Sequence, residues 1–182
     1  MKKKPSDFGG LCFCRVVVVG ANGAGKTWLA ARLAERMAAP VISKDALALT
    51  TGWVQRPAAQ VRADIIARIA ADRWVLDGGP SVLIPDVLAR ADLVVWLDVP
   101  ARLRFWRVLR RSLRYAGRVR PEHPPGNRDW PGPRQWRFAW RVLVAGGRFR
   151  AAIAAGLDGA GVPVVRLQSA AAVGPVAGAG SD

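Results

Sequence analysis

The clearest chemical signal in this 182-residue chain is an unbroken run of residues: Gly20, Ala21, Asn22, Gly23, Ala24, Gly25, Lys26 and Thr27. A glycine, four residues, then Gly-Lys-Thr is the P-loop (Walker A) pattern. Its glycines let the backbone turn so that successive N–H groups face inward. With the N-terminus of the following helix, those groups make a nest for phosphate oxygens. Lys26 is expected to reach the β- and γ-phosphates of a nucleoside triphosphate, and the Thr27 hydroxyl to bind Mg²⁺. The expected cofactors are therefore ATP and Mg²⁺.

Three aspartates could complete such a site. Asp45 lies 19 residues after Lys26, an interval long enough for a helix and a strand. That spacing predicts a place at the carboxyl end of the sheet, where open α/β sheets bind ligands. There it would accept a proton from an attacking hydroxyl or orient an acceptor; a helix-capping role is the alternative. Asp77 and Asp98 each follow an apolar run, so both fit a metal-assisting role. Pattern alone favours Asp98, whose run is longer.

Arginine supplies the opposite charge. Residues 101–150 hold 14 Arg against only Glu122 and Asp129, so this block is net +12 within a total of +15. Arg104, Arg107, Arg111, Arg114 and Arg118 recur at steps of three and four, whereas Leu103, Trp106, Leu109 and Leu113 fall on another helical face. The expectation is a helix that packs its apolar side and presents a row of guanidiniums to phosphate. Further on, Trp130, Trp136 and Trp140 interleave with Arg128, Arg134, Arg137 and Arg141. Such a pattern either stacks on bases or belongs to an amphipathic helix with buried tryptophans.

These residues need elements to hold them. Short apolar runs at 15–19, 41–43, 73–76, 93–97 and 162–167 read as buried strands. Helical spacing appears at 27–37 through Leu29, Leu33 and Met37, and at 60–70 through Val61, Ile65 and Ile69. Alternating strands and helices predict an α/β fold, a parallel sheet with helices on both faces. The expected organisation is a flexible leader over 1–14, one domain over 15–169, and a flexible tail over 170–182. An Arg-rich lid region falls at about 101–135, with a Pro- and Gly-rich loop at 121–134.

Composition narrows the partners. Half the residues are hydrophobic, which excludes a disordered chain, and a charge of +15 calls for partners that carry negative charge. Cys12 and Cys14 with one histidine, His123, are too few for a metal site. The basic start before the apolar stretch resembles a secretory leader, but cleavage there would remove the phosphate loop. No run of about 18 apolar residues suggests a membrane span. The expectation is a cytoplasmic protein with no membrane partner.

Several pieces together resemble the small bacterial P-loop proteins known as DNA topology modulation proteins, relatives of the adenylate kinases. They are the phosphate loop, Ser43-Lys44-Asp45, Gly52-Trp53, the stretch from Asp72 through Asp77-Gly78, Ala91-Asp92 with the run to Val99-Pro100, and the arginine-rich stretch at 110–118. Gly79-Pro80 and Ser43-Lys44 depart from the residues usual in that family. The resemblance implies a P-loop fold of the nucleoside-monophosphate-kinase type with strand order 2-3-1-4-5 and a basic lid. It favours Asp77 over Asp98 as the residue assisting the metal. It implies Lys26, Asp45, Asp77, Arg107, Arg111 and Arg114 as catalytic residues, with Arg118 beside the nucleotide. Phosphoryl transfer from ATP to a small acceptor follows. The rival reading is a nucleotide-dependent regulator that binds nucleic acid, non-specifically at least, through 101–150.

Overall fold

The computed structural model describes residues 6–8, 11–117 and 132–168. Two three-residue strands, β1 (Ser6–Phe8) and β2 (Leu11–Phe13), pair antiparallel where the sequence suggested a loose leader. Then come β3 (Arg15–Gly20), α1 (Lys26–Met37), β4 (Val41–Ser43), α2 (Lys44–Ala48), α3 (Ala58–Ile69), β5 (Trp74–Gly78), α4 (Pro85–Leu88) and β6 (Leu93–Leu97). The chain continues through α5 (Ala101–Arg114), α6 (Pro133–Val144) and α7 (Gly146–Leu157) to β7 (Val164–Leu167).

The last five strands form one parallel sheet in the order β4-β5-β3-β6-β7. Numbered along the chain, that order is 2-3-1-4-5. The topology is that of a P-loop fold of the nucleoside-monophosphate-kinase type.

The valines of β3 show why both faces need helices. Val16 and Val18 point into a core with Leu29, Leu33 and Met37 of α1. Val17 and Val19 point into a second core with Val61, Ile65 and Ile69 of α3 and Ile153 of α7. Successive side chains of a strand alternate in direction, so an unbroken apolar run must be covered on both sides. The helical stripes read from sequence are the stripes that do the covering.

The amino end of the sheet is locked by one carboxylate. Asp92 Oδ2 accepts hydrogen bonds from the Cys14 and Arg15 backbone amides at 3.0 and 2.8 Å, and Oδ1 accepts from Arg15 Nη2 at 2.7 Å. Burial raises the Asp92 pKa, but Arg15 and the two amides outweigh it and hold the carboxyl below 3.8. Its contribution is therefore complete above that value and lost as pH falls through the folded-state pKa. Asp92→Ala is expected to cost about 2–3 kcal/mol at neutral pH. The gap from the parent should narrow on acidification, which urea titrations at two pH values would measure.

Candidate functional site at the phosphate loop

At the end of β3 the chain turns into α1 through residues 20–27. A side chain at Gly20 would stand 2.7 Å from the Leu97 carbonyl, so β3 and β6 approach closely here only because Gly20 has none. Gly23 and Gly25 have φ of +80° and +99°, the left-handed region that favours glycine. Gly25 also occupies the N-cap of α1, with no side chain capping the helix and no acid in its first turn. The first amides of α1 are thus left for an anion, and the helix dipole favours one.

Lys26 is half-buried, and its Nζ donates to the Ala21 carbonyl at 3.3 Å across the loop. Burial lowers its pKa below 10.5; Asp77 and Asp45 oppose that shift, while Arg111 and Arg104 add to it. Thr27 Oγ1 donates to Asp77 Oδ2 at 2.9 Å. Asp77 sits within β5, beside Val18 of β3 and Ser43 of β4 in register, and is buried.

That hydrogen bond separates the two candidate aspartates. β5 and β6 both flank the loop strand, so sheet position does not distinguish them. Asp98 instead forms ion pairs with Arg150 at 2.9 Å and with Arg166, whose guanidinium lies over the Trp96 ring at 4.5 Å. Burial pushes the Asp98 pKa up, yet Arg166 and Arg150 outweigh it and hold the carboxyl below its ordinary value. Arg150 and Arg166 lie 52 and 68 residues from Asp98, so no local pattern announces the pairing.

Asp45 lies in the first turn of α2, at the carboxyl end of β4, and is exposed. Capping falls to its neighbour: Ser43 Oγ accepts from the Ala46 amide at 3.4 Å. Asp45 is near enough to act electrostatically on Lys26.

The arginine stripe of α5 is divided: Arg104 is buried, Arg107 and Arg111 are half-buried and Arg114 is exposed, and the apolar stripe does not pack as expected. Arg104, Val108 and Ser112 are the buried residues of α5, whereas Trp106 and Leu113 are more than half exposed. The reason is the phosphate loop, which offers carbonyls that leucine cannot use. Arg104 Nε donates to the Val99 carbonyl at 3.0 Å and its Nη1 to that of Asn22 at 3.3 Å. Arg107 Nη1 donates to the Ala24 carbonyl at 2.9 Å. The two backbones nearly touch as well: a side chain at Gly23 would stand 2.6 Å from the Arg104 carbonyl and 2.9 Å from Val108. Arg104 therefore clamps the loop from behind, a role that step counting did not reveal. Arg111 is half-buried and its charge reaches Lys26, while Arg114 is exposed. Arg118, Arg128 and Trp130 lie outside the described residues. Trp136 and Trp140 are exposed, not buried.

No family model matches the chain, and no curated protein matches it. Among solved structures it is similar to the shikimate kinase from Acinetobacter baumannii in complex with shikimate. The two are 19% identical over 90% of this chain and 88% of that one, with a TM-score of 0.49. The topology stands on this chain's own strand order.

The residues present fit a magnesium nucleotide. A hydroxyl and a carboxylate 2.9 Å apart form an all-oxygen donor set beside the loop, as a hard cation requires. Lys26, Arg107 and Arg111 surround the same loop with positive charge. No helix of the described residues is long and apolar enough to cross a membrane.

Proposed function

We propose that this chain is an ATP-dependent phosphotransferase of the adenylate-kinase type, moving the γ-phosphoryl of Mg-ATP to a small acceptor such as a nucleoside monophosphate. The observation that carries the reading is the Thr27–Asp77 hydrogen bond at the foot of a glycine loop whose helix has no cap of its own. Bound Mg²⁺ would supply positive charge to offset the negative charge that develops during transfer. Thr27 and Asp77 would hold it, the one through its hydroxyl and the other through its carboxylate. The amides of 20–27 would orient the phosphates, and Lys26 would leave the Ala21 carbonyl for a phosphate oxygen. Arg111 and Arg114 would approach the transferring group from α5, with Arg118 beside the nucleotide. Arg107 supports the loop through Ala24 and faces the same charge. Asp45 would take the proton where the acceptor attacks through a hydroxyl, and would orient the acceptor where the attacking atom is already an ionised phosphate oxygen. The motif resemblance to DNA topology modulation proteins supports this reading, and the compartment it would work in is the cytoplasm.

Label transfer from ATP to a panel of nucleoside monophosphates and small alcohols tests the proposal. Transfer to at least one acceptor is expected. Asp45→Asn should lower that turnover about a hundredfold while leaving ATP affinity nearly unchanged. An equal loss of ATP binding would make Asp45 part of the nucleotide site instead.

The second reading, a nucleotide-dependent regulator of nucleic acid, draws on the arginine excess and the exposed Trp136 and Trp140. Its mark is salt dependence. Duplex binding through many arginines would give a slope of about −0.9 in log affinity per phosphate contacted. Tight duplex binding at physiological salt that responds to ATP, with no label transfer to any acceptor, would favour it.

A further inference from the structure

The outer side of the α5–α6 pair has no counterpart in the phosphate-loop chemistry. Trp106 and Leu113 of α5 and Trp136, Trp140 and Val144 of α6 are each more than half exposed. They are not scattered. Leu109 and Leu113 face Trp136 and Ala139 across a shallow groove between the helices. The groove's two polar side chains, Ser112 and Gln135, are hydrogen-bonded to each other. Around this surface stand the exposed Arg102, Arg110, Arg137 and Arg141, and neither helix contains an acid.

We propose that this helix pair docks on an anionic lipid surface. Tryptophan and aliphatic side chains beside a band of arginine, on helices too short to span, match an element that lies in the headgroup boundary. The arginines would meet lipid phosphates, and Trp106, Trp136 and Trp140 would enter the interface. A second copy of this chain fits poorly, because two faces whose only charges are arginines repel each other. Single-stranded nucleic acid fits less well than lipid for two reasons. Leu113 and Val144 have no aromatic face on which a base could stack. The Ser112 hydroxyl is already engaged by Gln135 and by the Val108 carbonyl, and the rest of the groove wall is apolar, which suits an acyl chain. The inner side of α5 holds the phosphate loop through Arg104 and Arg107, so both surfaces share one rigid helix.

The test uses the full chain with vesicles of phosphatidylcholine, alone or mixed with phosphatidylglycerol. Co-sedimentation is expected with the mixed vesicles only. Tryptophan emission should shift to the blue and be quenched by lipid brominated on the acyl chain. Leu113→Ser/Trp140→Ser should weaken binding about tenfold or more. The charge reversal Arg137→Glu/Arg141→Glu should weaken it too, and both variants should keep the parent's ATP affinity as a check on folding. Sedimentation without quenching, or a Leu113→Ser/Trp140→Ser variant that binds like the parent, would overturn the proposal. So would tryptophan emission that ignores vesicles but responds to single-stranded oligonucleotide.

Discussion

Lys26→Ala is expected to abolish productive ATP binding while leaving the fold standing. Its amine makes its hydrogen bond to the loop's own Ala21 carbonyl, and none of the core helices depends on it. In water-poor surroundings a charge aimed at a phosphate oxygen is worth far more than in bulk solvent. Turnover should therefore fall by about a hundredfold or more. Calorimetry with ATP and Mg²⁺ checks affinity, and thermal unfolding checks the fold. Unchanged affinity together with unchanged turnover would remove the phosphate-loop assignment and the kinase reading with it.

Asp77→Asn and Asp98→Asn should separate cleanly. The first keeps the shape of a side chain that accepts from Thr27 Oγ1 and removes the charge next to the expected metal. Apparent Mg²⁺ affinity should drop about 10–100-fold. The second removes charge from a carboxylate held between Arg150 and Arg166. Its main effect should be on stability, about 1–3 kcal/mol, with the Mg²⁺ dependence of turnover nearly as in the parent. Stability from Asp98 is present above 3.8 and is lost as pH falls through its folded-state pKa, so the penalty should shrink in acid. Mg²⁺ titrations of turnover and urea titrations of each variant measure the two effects. The reverse ranking would mean that Asp98 serves the metal.

The placing of elements was legible because it depends on periodicity. The run at 15–19 could not be half-exposed, since four consecutive valines leave no polar face, and the structure buries all four. The loop was legible because glycine, lysine and threonine at fixed spacing have few other uses. The short α2 and α4, and all of α7, were missed. α7 opens on Gly146 and Gly147, which hide its start; Ala151, Ala152, Ala154 and Ala155 favour helix, and Ile153 anchors it in the core with Val17 and Val19.

By itself, then, the sequence determined the α/β alternation, the phosphate loop and the carboxyl-edge placing of Asp45 and Asp77. Each follows from contacts within a few residues along the chain. Tertiary structure alone decided which side of α5 faces inward and which aspartate meets Thr27. Arginine is exposed by default, and a stripe of it reads as a solvated face beside a leucine stripe that should be buried. That default assumes the neighbouring element offers only apolar surface. The phosphate loop offers carbonyls instead, from Asn22 and Ala24, over 80 residues away in the chain. A guanidinium satisfies them and a leucine cannot, so the helix turned Arg104 and Arg107 inward and left Trp106 and Leu113 outside.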